Sequence, residues 1–338
     1  MSCPPTIGIG VLGLGFMGRT HLRAYATAIA AGANASVLAV CDRSSNCLET
    51  NGRPKRLLPG EDDAPLFDPQ QVTCLTELEE LFARKDIQLV SICTPTDSHV
   101  DLAIAALRAG KNVLLEKPVA LSSAEVQRLI DAEATAPGFC LPAMCMRFWP
   151  GWSWLKPAIE TGRYGKVLSA SFRRLCARPD WSPGFYDSLS RSGGALFDLH
   201  IHDVDLVQWL FGTPNQIQSA GDLHHITTTY TFPDGPTHVS AQGGWNHTPG
   251  FPFQMHYTVI FEEATADYNS TRDPALQFYQ HGQLQELEPA MTFPEGQSGY
   301  DGEIRHALEV CQGATPSIGL GDALALAQTL ERERTALG

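Results

Sequence analysis

The sequence predicts an α/β protein: an N-terminal domain on a parallel sheet, then an α+β domain whose sheet is open and largely antiparallel. The first third alternates short apolar runs with helical stretches, the pattern of repeated strand–helix–strand units. Further along, Thr- and aromatic-rich strands follow one another without intervening helices, as antiparallel sheets do. The length of 338 residues corresponds to about two domains at roughly 150 residues each. The boundary is expected near residue 146, giving domains 1–146 and 147–338, with the final helix free to pack back on the first.

In order, Ile7 to Leu12 is an apolar strand. Arg19 to Ala31 places Leu22, Tyr25, Ala26 and Ile29 on one helical stripe and stops at Gly32. Strands are expected at Val37 to Cys41, Leu89 to Cys93, Val113 to Leu115 and Phe139 to Met144, with helices at Thr76 to Ala83, Ser98 to Ala109 and Ser122 to Ala134. The segment Asn51 to Pro69, rich in proline and charge, reads as an inserted surface loop. A helix at Trp152 to Glu160 and a strand at Val167 to Leu175 open the second domain. A long loop, Cys176 to Gly194, leads to an apolar helix at Leu199 to Phe211. Strands follow at His225 to Phe232, His238 to Trp245, Met255 to Phe261 and Leu276 to Tyr279, and helices at Gly302 to Val310 and Asp322 to Arg334 close the chain.

Composition excludes several functions. A net charge of −13 argues against nucleic acid, because phosphate backbones are held by clustered Lys and Arg. The only basic run, Arg53 to Arg56, is followed closely by Glu61, Asp62 and Asp63. Nine scattered cysteines, with no C-x-x-C, speak against a disulfide framework and paired-cysteine zinc sites, and for reduced thiols in a cytoplasm. No stretch is long and apolar enough for a membrane span, and the N-terminus lacks the basic flank of a signal peptide.

Four motifs carry chemistry. Gly13-Leu14-Gly15-Phe16-Met17-Gly18 is a G-x-G-x-x-G between a strand and a helix. In that context it binds a dinucleotide: the first glycine makes the turn, the second admits the pyrophosphate, the third allows close packing, and the helix N-terminus faces the phosphates. Taken alone, the string is equally a plain βα turn. Asp42, at the end of the second strand, stands where an acid accepts hydrogen bonds from the adenosine ribose and repels a 2′-phosphate. The cofactor expected is therefore NAD, with Arg43 and Ser44 leaving NADP open. Thr94, Pro95, Thr96, Asp97, Ser98 and His99 sit at the carboxyl end of a strand, where open α/β sheets bind ligands, although Asp97 or Ser98 would also serve as an N-cap. Glu116-Lys117-Pro118 places a lysine at another strand's carboxyl end, the alternative being an ion pair in a loop. In Gly193 to Asp205, a helix would put Asp198, His202 and Asp205 on one face and bring a carboxylate to an imidazole, as acid–base chemistry needs. His200 and His202 point nearly opposite ways on a helix, so no metal is expected there.

Together these residues resemble the glucose–fructose oxidoreductase / inositol dehydrogenase / rhizopine catabolism (Gfo/Idh/MocA) family. The resemblance runs through Gly13-x-Gly15-x-x-Gly18, Cys93-Thr94-Pro95 with His99, Glu116-Lys117-Pro118, Arg147-Phe148 with Pro150, Gly162-x-x-Gly165-x-Val167, and Gly193-Gly194 to Asp198-x-x-x-His202. It covers residues 7 to about 212. It implies a Rossmann domain holding the nicotinamide cofactor and a C-terminal domain for substrate binding and oligomerisation, making a homodimer or homotetramer through its sheet. The implied substrate is a small sugar, inositol or related polyol. Lys117, Asp198 and His202 match the catalytic residues, with His202 as general acid/base and Lys117 stabilising the alkoxide. The cofactor set expected is Gly13, Gly15, Phe16, Met17, Gly18, Asp42, Arg43, Thr94, Pro95, Thr96, His99, Glu116 and Lys117. Substrate-side candidates are Arg147, Trp149, Trp181, Tyr186 and His200, Arg191 sharing the loop that holds Trp181 and Tyr186. His200 stands where the family often has glycine, and a place in the core is its first reading. Two other functions stay open: an NAD-dependent glycosidase of the same fold, and a non-catalytic dinucleotide-binding regulator.

Overall fold

The computed structural model describes residues 5–45, 65–180, 182–292 and 297–338. Chain elements up to residue 145 are β1 (Ile7–Leu12), α1 (Phe16–Ala30), β2 (Ala35–Cys41), β3 (Thr73–Leu75), α2 (Leu78–Ala83), β4 (Leu89–Ile92), α3 (His99–Arg108), β5 (Asn112–Glu116), α4 (Ser123–Glu133) and β6 (Cys140–Ala143). Then come α5 (Leu155–Glu160), β7 (Val167–Ala177), α6 (Ile201–Phe211), β8 (Gln216–Asp222), β9 (His225–Thr231), β10 (His238–His247) and β11 (Gln254–Phe261). The chain closes with β12 (Ala264–Asn269), β13 (Leu276–Gln280), β14 (Gln283–Gln285), α7 (Gly299–Cys311) and α8 (Leu320–Ala336).

The chain divides into two compact units. The first holds residues 1–120, 124–145 and 300–323. Its sheet has the order β3-β2-β1-β4-β5-β6, with every pairing parallel. The strand order reverses between β1 and β4, and at such a switch point the carboxyl-end loops open a crevice for ligands. Strands β1, β4 and the middle of β5 are buried throughout, so they read as continuous apolar runs rather than as alternating ones.

Two features differ from the sequence reading. The unit boundary falls after Cys145, and Tyr300–Ala323 belongs to the first unit, so α7 joins it together with the first turn of the final helix, Leu320–Ala323. Ile304, Ala307, Leu308 and Val310 of α7 share a core with Ile9, Leu22, Tyr25 and Leu114, burying apolar area that the sheet alone leaves open. The proline-rich insertion is not all surface. Residues 51–64 lie outside the described residues, but Phe67 is buried in this same core with Leu66 against it.

The second unit, mainly 146–299 with 324–338, carries a mixed sheet of order β14-β13-β12-β11-β7-β10-β9-β8. All pairings are antiparallel except β7 with β10. One face is packed with rings: Trp152 meets Tyr257 edge-on at 4.7 Å and Tyr268 at 5.2 Å, and Trp154 meets Phe278 at 5.8 Å. Strands β3, β8, β12 and β14 are additions to the expected set, as are single helical turns at Pro183–Tyr186 and Leu189–Ser192 inside the long loop.

Candidate functional site

In the first unit the site is built from the loops after β1, β4 and β5. Gly13 has φ +89°, and a Cβ there would lie 2.8 Å from the Cys93 carbonyl oxygen. At Gly18 a Cβ would come within 1.8 Å of the Gly13 carbonyl oxygen. Both glycines are thus required by the turn and by the approach of α1 to it. Gly15 is different: it is exposed, and a Cβ there would meet nothing within 4 Å. That open backbone, directly before α1, is where an anionic group can approach the helix N-terminus. Phe16 and Met17 are half-buried beside it.

Asp42 is tied to this turn. Its carboxylate accepts the Leu14 N–H at 2.8 Å through Oδ2 and the Ser44 N–H at 2.8 Å through Oδ1. Arg43 is exposed next to it. The carboxylate therefore fixes the glycine loop as well as standing at the end of β2, a link sequence spacing does not reveal.

The loop after β4 is pinned by His99. Its Nδ1 lies 2.8 Å from the Pro118 carbonyl oxygen and its Nε2 2.8 Å from that of Thr94. A neutral imidazole donates to only one of them, and burial holds the ring's pKa below its ordinary value. Ser98 does not cap α3 through its side chain; its hydroxyl donates to the Pro95 carbonyl at 2.7 Å and lies 2.8 Å from Thr94 Oγ1. His99, Thr96 and Glu116 are all buried. The side chains of His99 and Glu116 both hold loop backbone, that of Thr94 and Pro118 for His99 and that of Lys117 for Glu116. From Val113 to Ala120, Lys117 is the one residue that is not buried. Its backbone N–H donates to Glu116 Oε2 at 3.1 Å, and the Lys117–Pro118 peptide is cis.

In the second unit, the segment entering α6 is a π-helical turn, Leu196–His200, continued by the α-helix from Ile201. Such turns re-aim side chains and recur at functional sites. Here the turn means that Asp198 and His202 are not related by plain α-helical i, i+4 geometry. They are nonetheless singled out: between Ser192 and Val207 every residue is buried except these two. Asp198 also lies close enough to Cys176 that, after burial itself, its charge helps push that thiol up to about 12.

The rest of the helix is anchored by buried ion pairs. Arg174 of β7 donates to Asp203 at 2.9 and 3.2 Å, and Arg147 donates to Asp205 at 2.6 and 2.9 Å. All four side chains are almost wholly inaccessible. Burial raises the Asp203 carboxyl above the usual range, with Arg174 opposing it. Asp205 thus faces Arg147, and the Arg147 guanidinium is buried in that pair. His200 is fully buried, its Nε2 3.1 Å from Glu333 Oε2, while Tyr230 donates to Glu333 Oε1 at 2.6 Å. That is the core placement. Tyr186 is buried edge-on against Trp245 at 5.6 Å. Trp149 is half-buried, Arg191 stacks over Phe185, and Trp181 lies outside the described residues.

The family model described as an oxidoreductase family with an NAD-binding Rossmann fold matches residues 7–142, and that of the Gfo/Idh/MocA C-terminal domain matches residues 152–267. The chain belongs to the Gfo/Idh/MocA oxidoreductase family. Among curated family members it is 30% identical to inositol 2-dehydrogenase of Rhizobium meliloti over 207 residues, 61% of this chain and 56% of that protein. To myo-inositol 2-dehydrogenase of Thermotoga maritima it is 30% identical over 171 residues, 46% of this chain and 49% of that one. The chain thus spans about half the length of the curated relatives it matches. Levoglucosan dehydrogenase in complex with NADH has the same fold, with a TM-score of 0.78 at 20% identity over 98% of this chain and 96% of the other. So does an aldose–aldose oxidoreductase from Caulobacter crescentus, with a TM-score of 0.80 at 19% identity over 98% and 97%. No helix among the described residues is long and apolar enough to cross a membrane.

Proposed function

We propose that the protein is an NAD(H)-dependent oxidoreductase acting on a CH–OH group of a sugar, inositol or related polyol. The observation that carries this reading is the selective exposure of three chemical side chains. Lys117 interrupts one buried run and Asp198 and His202 interrupt another. The residues suited to hold the dinucleotide are Gly13, Gly15, Phe16, Met17 and Gly18 of the first turn, with Asp42, Arg43, Thr94, Pro95 and Thr96. The open face of Gly15 at the start of α1 fits a pyrophosphate, and the Asp42 carboxylate fits a ribose hydroxyl better than a 2′-phosphate. Bound nicotinamide supplies the hydride acceptor or donor.

On the chain's side, oxidation of an alcohol needs its hydroxyl proton removed as negative charge builds on oxygen. His202 takes that proton at its imidazole and returns it in the reverse direction. The Lys117 ammonium stabilises the developing alkoxide. Asp198 orients the imidazole or a neighbouring hydroxyl. The inositol 2-dehydrogenase relatives support a polyol as substrate, and reduced thiols on all seven described cysteines suit a cytoplasmic setting. The outer face of the second sheet, with Ile260, Tyr279 and Leu284 exposed on β11, β13 and β14, is the surface for a homodimer or homotetramer.

The test is calorimetric titration with NAD and NADP, followed by a screen of sugars, inositols and sugar acids for absorbance of reduced nicotinamide. NAD binding with turnover of one polyol is expected. Binding with no turnover of any of them would overturn the dehydrogenase reading in favour of a glycosidase or a regulator, which a chromogenic glycoside then separates.

A further inference from the structure

Beneath Lys117 lies a cluster that the proposed chemistry does not use. His21 of α1, Glu116 at the end of β5 and Glu303 of α7 are 0%, 5% and 3% exposed. One ligand atom from each lies within 4.8 Å of the others. His21 Nε2 is 2.9 Å from Glu116 Oε1 and 3.9 Å from Glu303 Oε1. Glu116 has partners on both oxygens, since Oε2 accepts the Lys117 backbone N–H. Glu303 has none: both carboxyl oxygens are buried without a hydrogen bond.

Two carboxylates and one imidazole in a dry interior cannot both remain ionised without compensation. The compensation is either a cation or a proton. A closed metal site of this kind takes four ligands, and the described residues supply three. The titratable groups within electrostatic reach of the two carboxylates are Tyr25 from α1, Cys93 after β4 and His99 from α3, and burial favours the neutral form of each. Burial, then the Glu116 charge, push the Glu303 carboxyl well above the usual range.

We propose that Glu303 is held as a neutral carboxylic acid beside the His21–Glu116 pair, so that His21, Glu116 and Glu303 form a buried triad that carries one carboxylate charge rather than two and positions the backbone of Lys117. The arrangement is self-consistent. His21, protonated at Nε2, donates to Glu116 Oε1, the Lys117 N–H donates to Oε2, and the Glu303 acid spares the interior a second carboxylate charge. Glu303 is a positioning residue acting through Glu116, and its consequence for turnover rests on the reading of Lys117 as catalytic.

Melting curves against pH test the triad without reference to any substrate. An acid that is neutral in the fold but ionises normally in the unfolded chain makes the native state bind the extra proton. Stability then falls as pH rises above the ordinary glutamate range. Glu303→Gln keeps the shape and needs no proton. Its Tm is expected a few °C above wild type at about pH 8, with the gap closing by about pH 5. A carboxylic-acid C=O infrared band present in the wild type at about pH 8 should be missing from Glu303→Gln. A Glu303→Gln protein that melts below wild type at every pH overturns the proposal. So does a stoichiometric divalent metal in the wild type whose removal by EDTA lowers Tm. With NAD and a polyol turned over by the wild type, Glu303→Ala should lose about tenfold in kcat with KM for NAD nearly unchanged, and Gln should restore it. Full activity in Glu303→Ala removes the positioning role. Failure of the wild type to turn over any polyol would refute the dehydrogenase reading, while the melting and infrared results still decide the triad.

Discussion

At the scale of single residues, the side chains proposed to carry the chemistry are the ones their neighbours leave uncovered. Lys117 sits in a run whose other members from Val113 to Ala120 are buried, so a change there disturbs little packing. Lys117→Ala is expected to abolish polyol turnover while leaving NAD affinity within a few-fold. Calorimetry and a steady-state assay check both, and wild-type turnover would remove Lys117 from the mechanism. Asp42 accepts the Leu14 and Ser44 N–H groups and, in the proposed reading, a ribose hydroxyl. Replacing it by Ala should weaken NAD more than NADP, and should also cost about 1 kcal/mol of stability through the lost backbone hydrogen bond. An unchanged NAD-to-NADP affinity ratio would refute the ribose assignment. His200, Arg147 and Tyr186 teach the opposite lesson. Their types suit a substrate pocket, but each is buried against a partner within its own unit: Glu333, Asp205 and Trp245.

At the scale of elements, α6 and the π turn before it aim Asp198 and His202, and two buried ion pairs hold the helix. Arg174→Met should cost about 3–5 kcal/mol, because it strands the Asp203 carboxylate in the core. Asp203 then takes up a proton in the fold that it does not hold in the unfolded chain, so the destabilisation should grow as pH rises. Denaturant unfolding at two pH values measures this. The double change Arg174→Met with Asp203→Leu should recover most of the loss, and failure to do so would mean that the pair contributes more than its own charge balance. The motif-bearing elements were legible in sequence because their signals are local. A glycine turn follows an apolar strand, a lysine stands at a strand end, and a carboxylate precedes an imidazole by four. Strands β8 and β12 were not legible: QIQSAGD is a polar edge strand, and the buried face of ATADYN is two alanines and a single tyrosine. Three-residue β3 is too short to show any period.

At the scale of the whole molecule, the first unit is not contiguous in sequence. Its core is completed by Ile304, Ala307 and Leu308, each fully or nearly fully buried. Burial of an aliphatic side chain contributes about 1.5–3 kcal/mol, so the loss of α7 approaches the whole stability of a typical domain. A fragment of residues 1–145 is expected to lack a cooperative melting transition. Calorimetry of that fragment, with and without a separate peptide of residues 297–325, checks it; a fragment melting like the full chain would show that α7 is dispensable.

The sequence by itself determined the α/β class, the parallel sheet with its glycine turn, the positions of Lys117, Asp198 and His202, and the family, because each rests on short-range periodicity or a contiguous motif. Tertiary structure alone decided that His21, Glu116 and Glu303 meet, that Asp203 and Asp205 face Arg174 and Arg147, and that His200 meets Glu333. Those groups come from elements tens to hundreds of residues apart. A buried charge finds its partner only where the packing of those elements removes water from both, and no local pattern in the chain records that pairing.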